Sequence, residues 1–134
     1  MNAITMVVVG YDGSSDSAIA LRWAAALCVA VEAHLQVIHA VGLLEEAHLT
    51  PAPPAEADVR RLASEVGLGP DLVAYSLVDG SPGDVLLRMT APPHRVDLLV
   101  IGSRGAGRKP GLLGSTSLEV AERATVPIAI IPSL

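Results

Sequence analysis

Between positions 102 and 117 the chain reads GSRGAGRKPGLLGSTS, a polar turn set between an apolar run, VDLLVI at 96–101, and the helical pattern SLEVAERAT. Backbone N–H groups of such a turn can face inward, and the start of a helix adds unpaired donors and partial positive charge. The guest that suits this chemistry is an anion. Arg104, Arg108 and Lys109 lie inside the turn, and no acidic residue occurs between Asp97 and Glu119. In a chain of net charge −5 this is a local positive island, fitted to a phosphate group better than to a nucleic-acid backbone. Glycines at 102, 105, 107, 111 and 114 give a ligand room to approach. The same glycines serve a turn that only redirects the chain, so local pattern leaves both readings open. Two familiar phosphate motifs are excluded. Lys109 precedes Gly111 and is followed by Pro110, which breaks GxxxxGK[ST], and the glycine spacing differs from GxGxxG.

A second polar turn, GYDGSS at 10–15, carries Asp12. Beside the glycine loop, its carboxylate could accept from ribose hydroxyls or a base amine, or help hold a divalent metal; the competing role is an Asx turn that shapes the loop. His34, His39, His48 and His94 form neither HxH nor HExxH, and His39, on a strand, reads equally well as a buried hydrogen-bonded side chain. Ser115 lacks the Gly-x-Ser-x-Gly setting and has no neighbouring His and acid. No general base for hydrolysis is visible, so any turnover is expected to be slow. Nucleic-acid binding is disfavoured, because no extended basic face appears and Tyr11, Trp23 and Tyr75 are the whole aromatic complement.

These turns need a scaffold. A length of 134 residues suits one domain, expected over 1–134, and a composition 51% hydrophobic but 2% aromatic asks for a core of Val, Leu, Ile and Ala. ITMVVV at 4–9 has no alternation and reads as a central strand buried on both faces. Ser14 and Ser15 are capping candidates for a helix running to Glu32, with Ala18, Leu21, Ala25, Cys28 and Val29 expected inward. Trp23 falls off that stripe, at a helix edge, under a loop or at a subunit contact. Cys28 reads as a buried helical thiol.

Strand two is expected over 34–41, a short helix over 55–66, strand three over 72–78, and a helix after DGSPGD. There Ser81 is the N-cap, Pro82 sits at N1 and Asp84 closes a capping box; APP ends the helix near Thr90. VPIAII at 126–131 is a fifth strand bounded by prolines. The order βαβαβαβαβ with right-handed crossovers gives an α/β fold, an open, mostly parallel five-stranded sheet with two helices on each face. Strand ends one and four should then meet and bring Asp12 to the glycine loop. No signal peptide or membrane-length apolar run is read, so a cytoplasmic location and no membrane partner are expected. The apolar last strand, at a sheet edge, predicts an isologous homodimer through residues 126–131.

The chain resembles the universal stress protein family over essentially its whole length. The likeness is carried by VVVGYDGSSDSAIALRWAAALC, HAV, VDGSPGDVLL and DLLVIGSRGAGRKPGLLGSTSLEVAERATVPIAIIP. The last stretch is similar to the signature of the ATP-binding, UspA-like branch. The resemblance implies an adenine-nucleotide alpha hydrolase-like fold with sheet order 3-2-1-4-5, and ATP, with an accompanying Mg²⁺ that Asp12 touches, as the ligand. It also implies site roles. Asp12 would face the adenine or ribose, Ala40 or Val41 the base, and Ile101 the base or sugar; Gly102 and Gly105, with Arg104 between them, would line the ribose and phosphate path. Gly114, Ser115 and Thr116 would bind phosphate. Two departures stand out, since eight residues separate Gly105 from Gly114 where the family pattern has nine, and Pro110 removes a donor N–H. The expected function is a stress-response protein with the nucleotide as a structural or regulatory ligand. The alternatives are a nucleotide-free homodimeric interaction protein with a vestigial loop, and a slow ATPase or autophosphorylating protein using Ser115 or Thr116.

Overall fold

In the computed structural model, which describes residues 3–41, 55–103 and 113–133, five strands alternate with four α-helices. They are β1 (Met6–Gly10), α1 (Ser15–Val31), β2 (His34–Val41), α2 (Ala55–Glu65), β3 (Val73–Asp79), α3 (Pro82–Thr90), β4 (Leu98–Gly102), α4 (Ser115–Arg123) and β5 (Ile128–Ile131). All pairings are parallel and the sheet order is β3-β2-β1-β4-β5, as expected. β1 lacks alternation because both of its faces are covered. Val7 and Val9 pack with Leu21, Cys28 and Val59 of α1 and α2, while Val8 packs with Val85, Leu86 and Val120 of α3 and α4. Among the described residues two helices therefore cover each face.

Local chemistry sets the ends of the elements. Ser14 caps α1 by accepting from the Ser17 N–H at 3.2 Å, and Glu32 ends it in the left-handed region, φ 61°. α3 stops at Ala91, ahead of two prolines. Asp97 binds the starts of β1 and β4 together, its Oδ2 accepting from the Thr5 and Met6 N–H groups at 2.8 and 3.0 Å. β1 begins at Met6, where its ladder with β2 begins at His34, two residues later than the apolar run suggests. β5 begins only at Ile128, since Pro127 has no N–H to donate, although its carbonyl accepts from Leu99 at 2.9 Å.

One local expectation fails and another holds only in part. Ser81 caps α3 by backbone geometry alone, without a side-chain cap bond, so its half of the box with Asp84 is not made. On α1, Ala20 and Ala24 are buried with Leu21, Ala25 and Cys28, whereas Val29 is 44% exposed. This helix is apolar around most of its circumference, and a 3.6-residue period cannot orient a helix that has no polar face. Trp23 lies at the helix edge, 42% exposed. Cys28 is fully buried with Sγ 3.7 Å from the His34 carbonyl, and burial pushes its thiol up to about 11. Among the described residues no helix is long and apolar enough to cross a membrane.

Candidate functional site

From β1 the chain builds outward through β2 and β3, then crosses back to β4 and builds the other way. Loops leaving β1 and β4 therefore diverge, and an open sheet has its natural crevice at that point. A cleft of about 230 Å³ lies there. Its apolar floor is Ile38, Leu86 and Ile101, all in the α3/α4 half of the core. Polar groups come from the ends of the elements, with Asp12 after β1, Ser14 and Ser17 at the start of α1, and Gly114 to Ser117 at the start of α4.

The two polar walls are built differently. At the first, the Ser14 N–H donates to Asp12 Oδ1 at 2.8 Å, the Asp12 N–H donates to Ser17 Oγ at 3.3 Å, and Ser17 Oγ donates to the Ser14 carbonyl at 3.0 Å. Asp12 thus makes the Asx turn foreseen as its structural role, and from that turn it also reaches the cleft. Partial burial pushes its carboxyl upward, but the hydrogen bonds from Ser14 and Ser17, and then the His39 side chain, outweigh it and hold the pKa below the usual value.

At the second wall, Gly114 is the N-cap of α4 and offers no capping side chain, and the first turn holds no acidic residue. Of the helix starts on the cleft, those of α1 and α3 hold Asp16 and Asp84. The α4 start is pinned to β4, with the Gly114 N–H donating to the Ser103 carbonyl at 2.9 Å and Ser117 Oγ donating to the Gly102 carbonyl at 2.8 Å. Gly102 has a packing reason to be glycine. A Cβ there would lie 3.1 Å from the Asp16 carbonyl oxygen, on the first turn of α1.

The cleft thus brings together Asp12, Ala40, Ile101, Gly102, Gly114, Ser115 and Thr116. Val41 is buried off this lining, with its carbonyl accepting from the Gly80 N–H at 3.0 Å. Arg104 and Gly105, with Arg108, Lys109 and Pro110, lie outside the described residues. Sequence reasoning missed Gly10, Tyr11, Ser14, Ser17, Ile38, Pro82, Leu86 and Ser117 as lining residues. Ile38 was within reach, since strand alternation puts it on the same face as Ala40; nothing local marks Leu86. Among the described residues no three His, Cys, Asp or Glu side chains come close enough to hold a metal ion.

A profile of the universal stress protein family matches residues 4–132. This chain belongs to that family. Two universal stress proteins of Mycobacterium tuberculosis (strain ATCC 25618 / H37Rv) are 33% and 30% identical to it, covering 95% and 97% of this chain. The chain spans about half the length of these relatives, 48% of each. A universal stress protein solved in complex with cAMP is 31% identical with a TM-score of 0.75, over 97% of this chain and 98% of that one. The universal stress protein of Archaeoglobus fulgidus in complex with dAMP, 20% identical with a TM-score of 0.67 over 98% and 99% of the two chains, shares the fold.

Proposed function

We propose that this universal stress protein binds an adenine nucleotide in the cleft between β1 and β4, with ATP as the ligand and the nucleotide acting as a structural or regulatory element in a stress response. The carrying observation is the α4 start. It faces the cleft with a glycine cap and no acid of its own, so its first-turn amides suit a phosphate. A relative 31% identical, covered almost end to end, was solved with cAMP, which supports the same class of ligand here. In this reading Gly114, Ser115 and Thr116 bind phosphate, and Gly102, Arg104 and Gly105 follow the ribose and phosphates. Ala40 and Ile101, rather than Val41, border the base, and Asp12, ionised at neutral pH, accepts from a ribose hydroxyl. Asp12 would be the protein contact of a Mg²⁺ carried with the phosphates, an ion that would offset their negative charge. ATP supplies charge and shape when bound, and the chain's own groups orient it.

We further propose a cytoplasmic homodimer joined through residues 126–131. β5 is an edge strand with its four apolar residues only partly buried, which supports pairing with a second copy. A monomer in sedimentation at micromolar concentration would remove that part. Calorimetric titration with MgATP, cAMP and AMP tests the ligand, and saturable one-to-one heat with MgATP is the expected result. The glycine-rich sequence, one residue shorter than the family pattern and with a proline at 110 that has no N–H to donate, favours the rival reading of a nucleotide-free interaction protein. No heat with any of the three nucleotides, and none extracted from the purified protein, would establish that rival.

A further inference from the structure

Two of the chain's three aromatic residues meet one histidine. His39 on β2 shares its hydrogen-bond contact with Tyr75 on β3, Nδ1 to Oη at 3.0 Å, and the two rings stand edge-on with centroids 6.4 Å apart. On its other side the imidazole stands edge-on to Tyr11 at 5.9 Å. The row therefore crosses the sheet from its outer edge, β3, through β2 to the end of β1. It lies on the α1/α2 face, opposite the apolar floor of the cleft, and Tyr11 at its inner end is 7% exposed. Beyond Tyr11 the chain leaves the sheet. The Tyr11 N–H donates to the Ile38 carbonyl at 3.0 Å, but the Asp12 N–H already turns to Ser17, and Gly13 has φ +84°. Tyr11 is thus the last residue bonded to the sheet before Asp12 turns towards α1.

We infer that His39 is a positioning residue, which, held by Tyr75 and braced on Tyr11, fixes the Tyr11–Asp12 corner of the cleft from the opposite face of the sheet. The consequence for ligand affinity rests on the nucleotide reading of the cleft; the consequence for the corner itself does not. The test compares wild type with His39→Ala and with Tyr75→Phe, which deletes one hydroxyl and keeps the fold if the alanine variant does not. Amide hydrogen exchange in the unliganded protein is read by NMR. Tyr11, Asp12 and Ser14 should exchange about two- to tenfold faster in His39→Ala, the range that loss of an aromatic pair implies, and less so in Tyr75→Phe, while Val7, Val8 and Val9 keep their rates. Corner and core amides changing together, or neither changing, would overturn the inference. In a second arm, the MgATP Kd should rise by a similar factor in His39→Ala, and an unchanged Kd would also count against it. Wild type that binds no MgATP would instead end the nucleotide reading, and the exchange comparison would then decide the inference alone.

Discussion

Replacing Gly102 by alanine separates two reasons for a glycine at the mouth of a binding cleft. The added Cβ would stand 3.1 Å from the Asp16 carbonyl oxygen, 3.2 Å from its carbonyl carbon and 3.3 Å from its Cβ. Two of these atoms are backbone in the first turn of α1, so no rotamer change relieves the contact and the helix start must move. Overpacking of this kind costs about 1–3 kcal/mol, whereas Gly→Ala at an unstrained position returns about 0.4–1 kcal/mol through the unfolded chain. The net loss centres on about 1 kcal/mol, or roughly 3–5 °C in Tm for a domain of this size. Gly69 is the matched control. Its φ is −65°, a Cβ there meets nothing within 4 Å, and Gly69→Ala should stabilise by about 0.4–1 kcal/mol. Urea unfolding at constant m-value measures both variants. MgATP affinity should fall in Gly102→Ala as well, because Ser14 and Ser17 ride on the displaced helix start. A Gly102→Ala protein as stable as wild type but unable to bind would refute the packing argument and leave ligand approach as the reason for the glycine.

Gly105→Val should abolish MgATP binding while circular dichroism stays native, and Arg104→Ala should cost only about 0–1 kcal/mol of affinity if that contact is solvent-exposed; equal losses in calorimetry would contradict the ranking. Cys28, its thiol pushed up to about 11 by burial, should react with a thiol reagent at neutral pH only as fast as the protein opens, and burst labelling of native protein would contradict that. Asp97 is held below the usual carboxylate value by the Thr5 and Met6 backbone N–H groups. A depressed folded-state pKa contributes stability that is present above the unfolded value and lost as pH falls through the folded one. Asp97→Asn should therefore destabilise at pH 7, by roughly 0.5–1 kcal/mol after solvent screening, with the difference from wild type closing in acid; a pH-independent gap in Tm would refute the assignment.

The sequence made the fold legible wherever local chemistry and tertiary structure agreed. Pro82 to Thr90 follows from Ser-Pro at one end and Ala-Pro-Pro at the other, and β2 from an apolar run between Ala33 and Gly42. The inward face of α1 was legible only in part, with Leu21, Ala25 and Cys28 buried as expected but Val29 exposed, because a helix of Ala, Leu and Val presents apolar residues on most sides and only its neighbours choose among them. Much of the cleft was legible through the two polar turns, since strand order alone brings Asp12 to Gly114. Its floor and its aromatic brace were not. Leu86 belongs to a helix that reaches the site by packing, and His39, Tyr75 and Tyr11 meet only through inter-strand register, which leaves no mark within any one segment.

The central position of β1 also bears on how the protein is made. Its partner on one side, β2, follows after a single helix, but its partner on the other side is distant, with Met6 and Asp97 bonded across 91 positions. Contacts of that separation slow folding, because a long loop must close before they form. On the ribosome, β3, β2 and β1 can assemble as soon as residue 79 has emerged, while β4 is complete only at Gly102. At about 5–20 residues per second the far edge of β1 then waits about one to five seconds for its partner. During that interval Val7, Val8 and Val9 present an apolar, unpaired strand to other nascent chains. A message truncated before Leu98 makes the exposure permanent, so such fragments should aggregate or be degraded rather than persist as soluble half-domains.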